Sequence, residues 1–324
     1  MIRALADLIV YNWMGLDSAT RIGESIHFFI YDVTKILILL SIMIFFISII
    51  RSFFSPEKTK NILSHKNKYV GNFVASVMGV VSPFCSCSTV PIFIGFVEAG
   101  VPLGVTFSFL ITSPIVNEIA LVMLYSLFGW KIGTLYLISG MAVGIVGGMV
   151  IGALGLEDEV EEYVYQIEAD GNSIEDDKMS WSERIEYAKR EVKDIVSRIW
   201  KYVIIGIGIG ALIHGYAPAN LLAKYAGNSN PFAVFIGVGL GIPLYSNAAG
   251  TIPIAEALLN KGVALGTTLS FMMATVALSL PQMVILRKVI KPKLIGIFIA
   301  VVGTAIIGVG YMFNFVDLTF NLAM

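Results

Sequence analysis

Apolar residues run through this chain in stretches that a soluble protein of its size does not carry. They fall near residues 26–50, 69–83, 84–100, 102–128, 132–155, 196–216, 231–246, 248–260, 263–286 and 294–314. About 20 residues of helix cross a hydrocarbon core roughly 30 Å thick. Inside that core the backbone finds no water, so only helices or closed barrels can span it, and nothing here alternates as barrel strands do. The expected fold is an all-α integral membrane protein of about ten membrane segments. Charge agrees: 14% of residues are charged and mean hydropathy is +0.81, against about 25% charged in average soluble domains. Four segments (69–83, 84–100, 231–246 and 248–260) are too short to cross as straight helices. Each contains or abuts Pro or Gly, so broken or re-entrant helices are expected there.

The chain divides at its charged stretches. Residues 1–25 read as an amphipathic segment on the membrane surface, without the basic start, apolar run and small-residue cleavage site of a signal peptide. A first membrane unit follows over 26–156. Glu157 to Asp177 holds ten of the 23 acidic residues and opens a cytoplasmic linker, 157–195. In it, Ser180-Trp181-Ser182-Glu183 has the spacing of a capping box. Apolar residues at helical spacing from Ile185 to Ile199 then predict an amphipathic helix running into the second membrane unit, 196–324. A solvated linker is the plain reading of this stretch; a regulatory or partner-binding role is the alternative. Basic residues gather in the 51–68 loop, the 181–201 stretch and the 287–293 loop. Lys and Arg concentrate on the cytoplasmic side, so these three belong there and both termini lie outside.

The two units echo each other. Thr89-Val90-Pro91-Ile92 recurs as Thr251-Ile252-Pro253-Ile254. In the same register Gly100-Val101 matches Gly262-Val263, Leu103-Gly104 matches Leu265-Gly266, and Ser108-Phe109 matches Ser270-Phe271. Each copy holds five segments, and an odd number inserts the second copy upside down. Inverted repeats with interrupted segments at matching places point to secondary transporters, whose sites lie at the repeat interface. A duplication with no transport role is the alternative.

The only two cysteines sit in one of these interruptions, Pro83-Phe84-Cys85-Ser86-Cys87-Ser88-Thr89-Val90-Pro91. In a helix, residues i and i+2 point apart; in extended chain they point the same way. An extended stretch held by the two prolines would let Cys85 and Cys87 share one soft ligand. Two thiols cannot close a four-thiolate zinc site, and no metal is expected unless a soft metal is itself the cargo. Packing of two small residues is the plain alternative. The matching stretch of the second unit holds Tyr245, Ser246 and Asn247 and no thiol, so the expected site is symmetric in backbone and asymmetric in chemistry. Ser86, Ser88, Asn117, Ser246 and Asn247 are the expected polar contacts to the solute. Glu118, at mid-depth in the fourth segment, is expensive to bury and so a candidate for carrying a coupled proton; Glu256, three residues past Pro253, is the second. Glu98 and Gln282 are weaker candidates. His27, His65 and His214 are isolated. Gly206-x-Gly208-x-Gly210 follows no strand and is read as helix packing rather than a nucleotide loop.

These residues resemble the predicted permease family that includes the organoarsenical efflux permeases. The resemblance is carried by the Pro83–Pro91 block, by Thr112-Ser113-Pro114 with Asn117-Glu118, and by Thr251-Ile252-Pro253. It covers about residues 70–300 and leaves out the acidic linker. It implies a permease without enzymatic activity or cofactor, and export of a trivalent organoarsenical such as methylarsenite, which offers two positions to thiols. The expected function is gradient-driven efflux of a small thiophilic solute by alternating access. A soft-metal or other small-solute carrier or channel, and a membrane thiol oxidoreductase, are the alternatives. The expected partners are the small-molecule solute and the lipid bilayer, with self-association open and no nucleic acid. The expected location is the plasma membrane, crossed many times.

Overall fold

The computed structural model describes residues 2–17, 20–51, 68–82, 86–161, 164, 180–214, 230–244 and 248–320. The described chain is helical. Its one pairing of extended backbone is an isolated antiparallel bridge between Val160 and Ile290. α1 (Ile2–Asp7) runs into a π-helical turn (Leu8–Trp13) and then α2 (Arg21–Arg51). α3 (Lys68–Val81), α4 (Ser86–Glu98), α5 (Leu103–Ile115) and α6 (Glu118–Ala153) complete the first half. The second half comprises α7 (Trp181–His214), α8 (Ala233–Gly241), α9 (Ala248–Asn260), α10 (Leu265–Ala277), α11 (Leu280–Leu286) and α12 (Pro292–Phe320). Three stretches among the described residues are long and apolar enough to cross a membrane: Ala120–Ala153, Leu265–Leu286 and Pro292–Leu318. Tyr69–Val81 and Leu103–Ile115 are apolar but shorter.

Two expected segments are each broken in two. The stretch 102–128 ends as a helix at Ile115, because Pro114 in its last turn has no amide hydrogen and Val116 turns out of the helical region (φ −106°, ψ 69°). A new helix starts at Glu118 and breaks again at Gly129, whose φ of +78° and ψ of 171° are open mainly to glycine. The stretch 263–286 ends as a helix at Ala277 and restarts at Leu280, with Pro281 in the first turn, where its missing donor costs nothing.

α5 and α10 form the centre. Every residue from Leu103 to Ile115 and from Leu265 to Ala277 is buried, hydroxyl side chains included, so both helices have protein on every side. The two helices touch each other. α3, α4 and α6 surround α5, while α8, α9 and α12 surround α10; α6 also packs on α12. Phe93, Phe107 and Phe298 meet at the junction, Phe107 edge-to-face with Phe93 at 5.2 Å and tilted against Phe298 at 5.7 Å between ring centroids. α2 lies along α7. α1 is tied to α2 through His27, whose Nε2 is 2.8 Å from Asp7 Oδ1 and whose ring stacks on Tyr11 at 5.2 Å.

One number relates the halves. Adding 162 to the bounds of α4, Ser86 and Glu98, gives the bounds of α9, Ala248 and Asn260. The same addition carries α5, Leu103 and Ile115, onto α10, Leu265 and Ala277. The contacts follow the same shift. Gly79 lies against Phe109, Thr112 and Ser113, while Gly241 lies against Phe271, Ala274 and Thr275. Gly104 lies against Gly148 and Gly152, while Gly266 lies against Gly310 and Asn314. The turns leaving α4 and α9 are also alike: Gly100 and Gly262 have φ of +70° and +80°, and Val101 and Val263 donate to the carbonyls of Phe96 and Leu258.

The acidic run, expected as solvated linker, begins docked. The 3₁₀ turn Glu157–Glu159 and the residues after it lie on the basic turn between α11 and α12. The Glu161 amide donates to the Val289 carbonyl (2.9 Å) and the Lys291 amide to the Glu159 carbonyl (2.8 Å). Arg287 reaches the Glu161 carboxylate (2.7 Å), Lys293 that of Glu159 (2.9 Å), and Lys291 Nζ the Asp158 carbonyl (2.8 Å). Val160 and Val164 are buried beneath. The acidic run and the 287–293 turn therefore share one side of the protein. Further along, the capping box forms: the Ser180 amide and hydroxyl both donate to Glu183 Oε2, at 2.7 and 2.9 Å.

Candidate functional site

The interruptions lie between α3 and α4, α8 and α9, α5 and α6, and α10 and α11. Cys85, Ser246 and Asn247 fall outside the described residues, as does Tyr245. Ser86, Cys87 and Ser88 form the first turn of α4. The stretch from Ser86 to Pro91, expected to be extended, is thus helical, and the break is shorter than the prolines suggested. Proline tolerates helical φ; what it removes is one hydrogen bond. Pro91 is the sixth residue of α4 and Pro253 the sixth of α9, so the carbonyls of Cys87 and Ala249 receive no i+4 amide. Each interruption thereby opens a helix N-terminus, with its outward amides, beside a carbonyl left out of the helical ladder. That combination can meet both the acceptor and the donor groups of a small solute.

Glu118 is the first residue of α6, directly after the interruption at Val116–Asn117. It is half-buried, and its Oε2 is shielded from solvent with no hydrogen-bond partner among the described residues. Asn117 is half-buried beside it, its carbonyl accepting from the Leu121 amide at 2.9 Å. Glu256 stands on the exposed side of α9, whereas Thr251, Ile252, Ala255 and Leu258 are buried. Gln282 is buried, and with its side-chain O and N assigned from the hydrogen-bond network its amide donates to the carbonyls of Val276 (3.0 Å) and Ala277 (3.2 Å), capping α10. The corresponding end of α5 is capped differently, by the Tyr136 hydroxyl donating to the Ile115 carbonyl at 3.2 Å.

Sequence reading missed a ladder of polar side chains between α3 and α5. The Ser108 hydroxyl donates to Asn72 Oδ1 (2.7 Å), that of Thr112 to the Ser76 hydroxyl (3.1 Å), and the hydroxyls of Ser82 and Ser113 lie 3.3 Å apart. All six residues are buried. Their signal was present: Asn72 and Ser76, like Ser108 and Thr112, are four residues apart and share a helix face. With the 162 shift, Asn72 and Ser76 become Val234 and Val238, so the ladder belongs to the first half alone and ends at the interruption that carries the cysteines. The second half anchors its interruption through the backbone, the Leu280 amide donating to the Ile242 carbonyl at 3.0 Å.

Residues 21–315 match the ArsP_1 family profile, described as a predicted permease. This chain belongs to that family. Its relatives agree. A UPF0718 protein of Methanocaldococcus jannaschii is 22% identical over 70% of this chain and 77% of its own length. The UPF0718 protein YcgR of Bacillus subtilis is 22% identical over 78% and 83%. A Streptococcus mutans protein whose name proposes it as a subunit of a two-component membrane permease complex is 28% identical over 55% and 58%. No solved structure matches the chain. A predicted permease with apolar helices long enough to cross a membrane is a membrane protein.

Proposed function

We propose that this permease exports a small thiophilic solute, with a trivalent organoarsenical as the leading candidate, across the plasma membrane by gradient-driven alternating access. One observation carries the reading: helices and contacts of the two halves correspond under one shift, and their interruptions fall at the same places. In this reading the halves are inverted repeats of five segments each, with some of the ten re-entrant. The solute binds between the α4 and α9 interruptions, at Cys85, Ser86, Cys87 and Ser88 on one side and Ser246 and Asn247 on the other, with Asn117 close by. Glu118 carries the coupled proton; its carboxylate oxygen without a partner supports that role. Glu256 is the weaker candidate, because a carboxylate on the exposed side of α9 must be brought inward to act.

Everted membrane vesicles test this. Methylarsenite should accumulate on imposing a proton gradient, and accumulation should fall at least tenfold in Cys85→Ser and in Cys87→Ser. Glu118→Gln should keep solute binding and lose the response to the gradient. Unchanged accumulation in both cysteine variants would remove the thiols from the mechanism.

A further inference from the structure

A cleft of about 360 Å³ opens between α2 and α7, lined by Ser41, Ile42, Phe45, Phe46, Lys189 and Val192. None of the residues proposed for the transport site lines it. Its walls are almost wholly apolar, and its one charged group is Lys189. The cleft lies within the apolar run Ile36–Ile50 of α2, so its α2 wall belongs in the membrane. Ile38, Ile42 and Phe46 recur every fourth residue and are all exposed, at 44%, 47% and 57%. They form an apolar track along α2 that continues from the cleft.

α7 supplies the opposite chemistry. It is amphipathic, with Ala188 buried and Lys189, Arg190 and Lys193 exposed. None of these three cations makes an ion pair among the described residues. Lys189 and Lys193 are one turn apart on one face; the acids closest in sequence are Glu186, Glu191 and Asp194. An apolar cleft ending at cations that make no ion pair among the described residues is complementary to one kind of molecule. Its tails are apolar and its head is anionic. A lysine can lay its methylene stem along the groove and keep its ammonium at headgroup depth.

We propose that the α2–α7 cleft is a binding site for an anionic phospholipid, with an acyl chain along Ile38, Ile42 and Phe46 and the phosphate at Lys189. The bound lipid closes the seam between the helix that opens the first membrane unit and the helix that opens the second. Each cation near an anionic headgroup favours binding by about fivefold.

Native mass spectrometry of the full chain in mild detergent decides the matter, using equimolar phosphatidylglycerol and phosphatidylcholine with identical acyl chains. The wild type should retain one phosphatidylglycerol per protomer, at least fivefold over phosphatidylcholine. Lys189→Gln should cut that preference about fivefold. Ser41→Phe should fill the cleft and release the lipid while leaving every cation in place. Lys189 is exposed, so its variant keeps the test alive if Ser41→Phe does not fold. Equal retention of the two lipids by the wild type, or undiminished preference in Lys189→Gln, overturns the proposal. So does a lipid-free dimer or heteromer that buries this face. The readout is lipid retention, so it stands or falls independently of the transported solute.

Discussion

Gly104→Ala should separate α5 from α6, and Gly266→Ala should do the same to α10 and α12. A Cβ on Gly104 would lie 2.7 Å from the Gly148 carbonyl oxygen and 2.9 Å from the Gly152 Cα. Ordinary contact begins at 3.4 Å, so the shortfall at the carbonyl is about 0.7 Å. Both neighbours are backbone and neither can rotate away, so the helices themselves must move. Overpacking of this kind costs about 1–3 kcal/mol. On Gly266 the added Cβ meets the Gly310 carbonyl and lies 2.6 Å from Asn314 Oδ1, so a similar loss is expected. Gly296 and Gly308 on α12 are the controls, because a Cβ there meets nothing within 4 Å. At those two positions alanine should stabilise by about 0.5–1 kcal/mol through backbone entropy alone. Reversible unfolding in mixed SDS and dodecylmaltoside micelles, followed by tryptophan fluorescence, should place the two groups about 1.5–4 kcal/mol apart. If Gly104→Ala and Gly266→Ala unfold alongside Gly308→Ala, close backbone crossing does not hold these helices together. If only one of the pair is destabilised, the two crossings are not energetically equivalent.

Two further outcomes concern the charged regions. Glu161→Lys should loosen the contact between the acidic run and the 287–293 turn, raising hydrogen exchange at the Glu161 and Lys291 amides; the double exchange Glu161→Arg with Arg287→Glu should restore protection. Because the pair is partly exposed, the expected effect is only about 0.2–1 kcal/mol, and no rescue by the double variant would show that backbone bonds alone hold the turn. The second concerns pH. The Ser180 backbone amide, and after it the Ser180 hydroxyl, hold the Glu183 carboxyl below its usual range. A carboxyl lowered by folding adds stability above its unfolded pKa, near 4.3, and loses it as pH falls through the folded value. The first turn of α7 should therefore fray on acidification below about pH 4 and not between pH 7 and 6. Exchange at its first amides, corrected for intrinsic rates, should lose this pH dependence in Glu183→Gln; an unchanged dependence in that variant would exclude the cap as its source.

Much of the architecture was legible in the chain. The register linking Thr89-Val90-Pro91-Ile92 to Thr251-Ile252-Pro253-Ile254 predicts corresponding helices, and the bounds of α4, α5, α9 and α10 follow that register. Ser180 and Glu183 predict a cap because the motif is local and needs no tertiary partner. The breaks at Val116–Asn117 and Leu278–Ser279 lie inside long apolar stretches, and the polar residues beside them (Asn117, Glu118, Ser279, Gln282) fit a buried site on a continuous helix as well as they fit a helix end. The end of α5 is capped from a distance by Tyr136, 21 residues on, which no local pattern announces. The helical start of α4 escaped because Pro91 suggested a longer break than its one missing amide enforces.

The sequence by itself determined that this chain is a membrane protein and that the register of Thr89-Val90-Pro91-Ile92 recurs at Thr251-Ile252-Pro253-Ile254, with thiols before the first copy alone. Hydropathy, repetition and residue type are properties of the chain, and they needed no partner to be read. Only the tertiary structure decided which helices are buried on every side and, among the described residues, that the polar ladder belongs to the first half and that one Glu118 carboxylate oxygen is enclosed without a partner. It also decided that the start of the acidic run, Glu157 to Glu161, is docked and that a cleft lies between α2 and α7. Each of these depends on which residues distant in sequence come within a few ångströms, and in a chain this apolar the hydrophobic pattern alone does not say which side of a helix faces protein and which faces lipid.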